Sequence, residues 1–337
     1  ARLLPNGELD PAFDPGTGIT FSYGSRMTLC LQPDGRYLVG GIFSQVNGVA
    51  RSGVARLNTD GSLDLSFNPG SGANGEVHDL LLQPDGKVLL VGGFSDYNGV
   101  ARSGVVRIHP DGSVDEDFTT GSGFLNSIPN YYLSRGALAL LPDGRILVGG
   151  SFSSYNGHGS VRVVRLLANG SPDPTFVASS ALTGYVGHLL VLPGDQVLVD
   201  GRWRLNSDGS LDPGFSVGSG ATAAYGHEAP RDVVRLSDGR LLAVGDFEEA
   251  SPVPYQYTIC LLPDGTRDSS FGPALNLGYS GTVACVAQDQ DGRIWVGGEG
   301  SCFSFTGRQG VSRLLANGEP DHSFNPGSGA VGFVRSL

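Results

Sequence analysis

Two β-hairpins are written back to back in the stretch Val77–Phe118, and that pair recurs along the whole chain. The first is expected to pair Val77–Gln83 with Lys87–Phe94 across Pro84-Asp85-Gly86, the second Val105–His109 with Ser113–Phe118 across Pro110-Asp111-Gly112. Pro suits the first central position of a type I turn, Asp the next, and Gly the left-handed position that closes it. The second-hairpin cassette, R-L-x-x-[DN]-G-x-x-D-x-x-F, begins at Arg2, Arg56, Arg107, Arg165, Arg204, Cys260 and Arg313, so consecutive copies lie 54, 51, 58, 39, 56 and 53 residues apart. The first-hairpin cassette, P-D-G-[RK]-h-L-V-G-G, has turns at Gly35, Gly86, Gly144, Asp195, Gly239 and Gly292. Four strands per period near fifty residues signal propeller blades.

The expected fold is therefore all-β: a single β-propeller domain over residues 1–337, built from four-stranded antiparallel blades. Blades fall at about 19–72, 73–123, 124–178, 179–220, 221–273 and 274–329. Residues 1–18 hold only a second hairpin, and 330–337 match the opening of a first strand, Val334 and Leu337 aligning on Val77 and Leu80. Joined, they make a composite blade that closes a ring of seven, with six blades and overhanging ends as the alternative. One strand of that composite is missing, which suggests a chain trimmed or taken from a longer repeat protein. The fourth blade runs from Val199 through Asp200-Gly201 into Trp203 without the intermediate loop found elsewhere, and the fifth replaces that loop with Glu248–Pro254.

Composition fits this architecture and excludes some functions. Gly (53) and Pro (20) are abundant, as tight turns every eight to twelve residues require, while 39% hydrophobic residues in strand-length runs argue against disorder. Net charge is −11 with Lys87 the only lysine, so no basic stripe exists for nucleic acid or an anionic membrane. No apolar run approaches a membrane helix. Cys30, Cys260, Cys285 and Cys302 have no C-x-x-C spacing and no shared repeat position, which disfavours zinc and suggests buried or half-buried free thiols.

The segments PDGKVLLVGGF, FSxxNG and RLNTDGSLDLSFNPGSG (56–72), recurring in fixed order, are similar to the delta-60 repeats of bacterial secreted and surface proteins. The resemblance spans essentially the whole chain. It implies a β-propeller within a larger exported protein, and it brings no catalytic residues with it.

Recurrence separates architecture from candidate chemistry. Asp lies eight residues after the cassette start in all seven copies, and the turn places Arg56 opposite Asp64, Arg107 opposite Asp115, Arg204 opposite Asp212 and Arg313 opposite Asp321. A cross-strand Arg–Asp pair inside each outer hairpin explains both recurrences; Cys260 leaves Asp268 without its arginine. The rival is calcium at Asn58/Asp60/Asp64, Asn206/Asp208/Asp212 and Asp289/Asp291, but calcium needs six to eight oxygens and the turn requires Asp-Gly regardless. No other cofactor is indicated. The recurring Phe (Phe13, Phe67, Phe118, Phe176, Phe215, Phe271, Phe324) is expected to pack between blades. Gly70-x-Gly72-x-x-Gly75 meets a dinucleotide fingerprint only formally, since a strand and not a helix follows.

Two sets of residues remain. The position five before the turn proline, on the strand that lines a propeller's axial channel, reads Thr28, Asp79, Ala137, His188, Asp232, Cys285 and Ser336, a ring able to hold a cation or polar ligand or merely to be solvated. The variable loop face offers Asn47, Arg51, Tyr97, Asn98, Arg102, Tyr155 and Asn156, a composition that can read sugars or peptides. No G-x-S-x-G is present. The expected function is a non-enzymatic module of a secreted or cell-surface bacterial protein, part of a larger chain or assembly, serving as scaffold or platform for a protein or glycan through its loops. The alternatives are a hydrolase or lyase at the channel mouth, and a rigid spacer.

Overall fold

Turn chemistry acts first. In the second repeat the Gly86 N–H donates to the Gln83 carbonyl (2.9 Å), Gly86 takes φ 83°, and the Asp85 carboxylate accepts from the Lys87 N–H (3.1 Å). This folds Val77–Leu82 against Val88–Gly92, with Leu80 opposite Leu90, and Val105–Ile108 completes the sheet from the other side. A computed structural model describes the chain apart from residues 22–26, 126–132, 160–161, 218–229, 248–255, 273–281, 300–309, 326, 328–333 and 335. Glu248–Pro254 and Cys302 thus lie outside the described residues.

Among the described residues six such sheets follow in chain order, each with its second strand in the middle. Their first strands are Met27–Leu31, Val77–Leu82, Ser134–Leu140, Leu189–Leu192, Asp232–Arg235 and Thr282–Gln288. The sheets have three strands, not the four expected. What should have been the fourth is one bridge per repeat, such as Leu57↔Leu63, Ile108↔Val114 and Leu166↔Pro172. The cassette aspartate is the reason. Asp64 Oδ1 accepts from the Ser66 N–H (2.9 Å) and the Phe67 N–H turns back to the Asp64 carbonyl (3.3 Å), so the backbone bends under the sheet after one pair. At Pro172 and Pro320 the bridge residue also lacks an N–H.

The F-S-x-x-N-G segments are not loops but small hairpins: Phe43–Val46 with Val49–Ala50, Asp96–Tyr97 with Val100–Ala101, and Ser154–Tyr155 with His158–Gly159. Asn47, Asn98 and Asn156 take φ of 51°, 50° and 48°, and Gly48, Gly99 and Gly157 follow at 75°, 78° and 77°, as a type I′ turn demands. The first and third pair further with Ile19–Phe21 and Phe124–Leu125.

The chain divides into two compact units, one of residues 11–196 with 205–210, the other of 2–10, 197–204 and 211–337. In the first, one buried cluster joins the first and second repeats (Leu38, Val54, Phe67, Val77, Leu80, Val88, Leu90, Phe94) and another the second and third (Leu89, Val91, Phe118, Phe124, Leu138, Ile146, Val148). In the second unit, Leu242, Val244, Tyr257, Val283, Val286, Ile294 and Val296 join the fifth and sixth. Strand alternation causes this: Leu89 and Leu90 point to opposite sheet faces and each face finds a different neighbour.

Candidate functional site

The cassette arginine does more than the sequence suggests. Arg107 Nε donates to Asp115 Oδ2 (2.7 Å), and its Nη1 donates to the Ala168 carbonyl in the turn of the next repeat (2.5 Å). Arg56 repeats both contacts with Asp64 (2.8 Å) and Pro110 (2.6 Å), and Arg204 with Asp212 (2.8 Å) and Pro263 (2.5 Å). Arg165 does so with Asp173 and Ser207, and Arg313 with Asp321 (2.7 Å) and Pro5 (2.6 Å). Each guanidinium also lies over its cassette Phe, 4.7 Å from the Phe118 centroid and 5.1 Å from that of Phe67. One side chain thus closes its own hairpin and fastens the next repeat.

In the first three repeats the basic residue after the first-hairpin P-D-G turn converges on the same aspartate. Lys87 Nζ lies 2.8 Å from Asp115, Arg36 Nη1 3.2 Å from Asp64 and Arg145 Nη1 3.4 Å from Asp173. In the fifth repeat, where Cys260 replaces the cassette arginine, Arg240 Nη1 reaches Asp268 at 2.9 Å, so that carboxylate keeps a cation. The [RK] of the first-hairpin cassette was the signal for this, though it sits about 28 residues away in sequence. Burial pushes Asp115 up, but the hydrogen bonds from Lys87 and Arg107 outweigh it and hold the carboxyl at about 2.

The calcium candidates are occupied by turn contacts. Asp60 Oδ1 accepts from the Ser62 N–H and hydroxyl (2.9 and 2.6 Å), as Asp208 does from Ser210, and Asp289 accepts from the Arg293 and Asp291 N–H groups and from Trp295 Nε1. Among the described residues no group of three acidic, His or Cys side chains is arranged to hold a metal.

The proposed channel residues form links from one first strand to the next. Asp79 Oδ1 accepts from its neighbour Leu80 N–H (2.8 Å), and Thr28 Oγ1 lies 3.4 Å from that oxygen. Asp79 Oδ2 accepts from the Leu138 N–H (2.8 Å). In the second unit Asp232 Oδ2 accepts from the Val286 N–H (2.9 Å), and the Cys285 thiol donates to the Val334 carbonyl (3.6 Å). Burial raises the half-buried Asp79 to about 6, against the Leu138 and Leu80 hydrogen bonds and the nearby charge of His188. Burial, with Asp232 nearby, pushes the Cys285 thiol up to about 12. Ala137 is buried without a polar group, and Ser336 is exposed.

On the loops, Tyr97 and Tyr155 are fully buried, not presented to a ligand as the sequence suggested. Their hydroxyls donate to the carbonyls of Gly112 (3.0 Å) and Gly170 (2.7 Å), which packs each small hairpin along the second-hairpin turn of its own repeat. Asn47 Oδ1 accepts from the Gly18 N–H (2.8 Å), Asn98 Oδ1 from Ser71 (3.1 Å) and Asn156 Oδ1 from Ser122 (3.3 Å), tying the hairpins to the G-S-G linkers. Arg51 and Arg102 are half-buried, each Nη1 donating to the preceding alanine carbonyl (2.8 and 2.9 Å). The exposed apolar side chains near these hairpins are Ile42, Val49 and Leu125.

No curated protein matches the chain. Among solved structures, it is similar to a catalytically inactive virginiamycin B lyase from Staphylococcus aureus with quinupristin, at 13% identity over 88% of this chain and 87% of that one, TM-score 0.55. It is also similar to PorZ, an essential bacterial surface component of the type-IX secretion system of Porphyromonas gingivalis, at 12% identity and TM-score 0.50; it covers 95% of this chain but only 44% of PorZ. At such identities the likeness shows the fold alone. Residues 280–300 match the two component regulator propeller model. Five segments, 32–67, 83–118, 141–176, 203–215 and 236–271, match the model described as "Domain of unknown function (DUF5122) beta-propeller", so matches to that β-propeller repeat recur along the chain.

Proposed function

We propose that this β-propeller is a non-enzymatic module of an exported bacterial protein, a scaffold or interaction platform for a protein or glycan partner. The observation that carries the reading is the fate of its polar candidates. Asp79, Asp232, Asn47, Asn98, Tyr97 and Tyr155 each make a hydrogen bond to a backbone group, Asp79 and Asp232 to one in the next repeat. A rigid frame is thereby built, and the small hairpins of repeats one to three leave Arg51, Arg102, Ile42, Val49 and Leu125 partly or largely accessible. Among the described residues no helix is long and apolar enough to cross a membrane, and a secreted or cell-surface location accords with the character of PorZ. Screening the chain against arrays of bacterial surface proteins and glycans tests the reading. A binder whose retention falls at least tenfold in Arg51→Glu/Arg102→Glu, with unchanged melting, supports it. No binder on either array would favour a rigid spacer.

The hydrolase or lyase alternative draws on one observation, the Asp79 carboxyl raised to about 6 with the charge of His188 close by. Turnover lost in Asp79→Asn would favour it. The reading also includes a ring of seven blades, residues 1–18 forming the outer half of the seventh. It is supported within the second unit, where Arg313 Nη1 reaches the Pro5 carbonyl and the Asn325 N–H donates to the Asn6 carbonyl (2.9 Å), the contacts Arg56 and Asn68 make to the hairpin that follows theirs.

A further inference from the structure

Two of the small hairpins end on an arginine that differs from the cassette arginines. Arg51 and Arg102 directly follow Val49–Ala50 and Val100–Ala101, the edge strands of their sheets. Like a cassette arginine, each puts Nη1 on a main-chain carbonyl, here that of the alanine just before it (2.8 and 2.9 Å). Arg56 and Arg107 give their Nε to an aspartate, whereas the Nε atoms of Arg51 and Arg102 are closed to water and meet no acceptor among the described residues. A guanidinium N–H buried without an acceptor is destabilising, and the group that answers a guanidinium best is a carboxylate. What Nη1 covers matters as much. The Arg51 N–H donates to the Ser44 carbonyl and the Arg102 N–H to that of Ser95 (both 2.9 Å), so ladder alternation turns the main-chain groups of Ala50 and Ala101 away from the partner strand. Both alanines are exposed. Their outward carbonyls, which could pair with a further strand, are thus capped by the arginines, a charged side chain being a usual guard of a sheet edge.

We propose that Val49–Ala50 and Val100–Ala101 are guarded docking strands for an extended acidic peptide of a partner protein. A carboxylate of the peptide draws the guanidinium outward and accepts from Nε and Nη2 together. The alanine carbonyl so released accepts a main-chain N–H of the peptide, and the alanine N–H donates to a peptide carbonyl, as in strand addition to a sheet edge. A neutral segment leaves the cap in place. A uronate polymer offers carboxylates but no peptide main chain to pair with the alanine, so the exposed edge favours a peptide over an acidic glycan. The third hairpin has Ser160 where the first two have arginine, which confines the site to the first two repeats. The inference rests on the platform reading and names the chemistry of its partner.

The probes are a blocked peptide of alternating valine and glutamate, its glutamine analogue, and polygalacturonate, each titrated into the intact chain by calorimetry. The glutamate peptide should bind at least tenfold more tightly than the glutamine peptide. N-methylation of alternate residues removes the main-chain donors of one peptide edge, and one of the two such series should bind at least tenfold more weakly. Arg51→Gln/Arg102→Gln, with unchanged melting, should abolish the preference and leave the two peptides equal. No binding of either peptide, equal binding of both by the wild-type chain, a preference retained by the double variant, or indifference of both series to N-methylation would each overturn the inference. Polygalacturonate binding as tightly at equal carboxylate concentration would also overturn it and assign the arginines to an acidic glycan. If an array binder is lost in Arg51→Glu/Arg102→Glu while the glutamate peptide fails, the platform reading stands and this inference alone falls.

Discussion

Replacing Arg107 by methionine tests the reading that the cassette arginine is the principal inter-repeat fastener. Methionine keeps most of the apolar stem but removes the fork that joins Asp115 to the Ala168 carbonyl and the charge over the Phe118 ring. Asp115 is only 1% exposed, so the change strips a partner from a buried carboxylate. Removing one partner of a buried pair costs about 3–5 kcal/mol. The remaining contact from Lys87 Nζ at 2.8 Å places the expected loss at the low end, about 3 kcal/mol. Lys87→Met/Arg107→Met should then exceed the sum of the single changes, because only the pair leaves Asp115 without a cation. In the fifth repeat Arg240→Met alone should match that double change in kind, since Cys260 supplies no charge there. The assay is guanidinium unfolding with the slope held in common across variants. A loss under 1 kcal/mol for Arg107→Met, strict additivity with Lys87→Met, or wild-type stability in Arg107→Lys would refute the argument.

Four further outcomes can be measured. Asp64, Asp115, Asp173 and Asp268 are held at about 2 against an ordinary 3.8, so their stabilisation is complete above 3.8 and is lost as pH falls toward 2; melting temperature should hold steady above pH 5 on their account and drop steeply below 4. Asp79 has the opposite sign: raised to about 6, it makes the fold more stable at pH 3.8 than at pH 6, and the difference between wild type and Asp79→Asn should isolate that trend. Gly72→Ala should be strongly destabilising, since φ is +68° and a Cβ would run into the Ser52 carbonyl oxygen, whereas Gly99→Ala, at φ +78° with open space, should cost about 1 kcal/mol; thermal unfolding of both variants checks this. In native labelling with a disulfide reagent at pH 8, half-buried Cys30 should react well before buried Cys260 and Cys285, raised to about 11 and 12; equal rates would show that the core opens freely.

Much of the fold is legible in local sequence because its instructions are local. Pro84-Asp85-Gly86 sets a turn, the turn sets the register of Val77–Leu82 on Val88–Gly92, and repetition at about fifty residues sets the class. The Arg56–Asp64 pair was readable for the same reason, its partners lying eight residues apart across one hairpin. Even the small hairpins could have been read, since Asn47-Gly48, Asn98-Gly99 and Asn156-Gly157 are type I′ pairs; treating them as loops gave the buried Tyr97 and Tyr155 a surface role.

The candidate site was less legible, because a side chain's use depends on what the next repeat brings to it. Asp79 in a list of channel positions looks like a ligand; in space its oxygen takes the Leu138 N–H, 59 residues away. Arg107 looks like half of a pair, and only packing adds the Ala168 carbonyl and Lys87. By itself the sequence determined the hairpins, their registers and the repeat, since turns and alternation need no distant partner. Tertiary structure alone decided which polar groups are satisfied and which apolar faces are covered, because each such decision is made between repeats about fifty residues apart, as the contrast between buried Leu80 and open Leu29 shows.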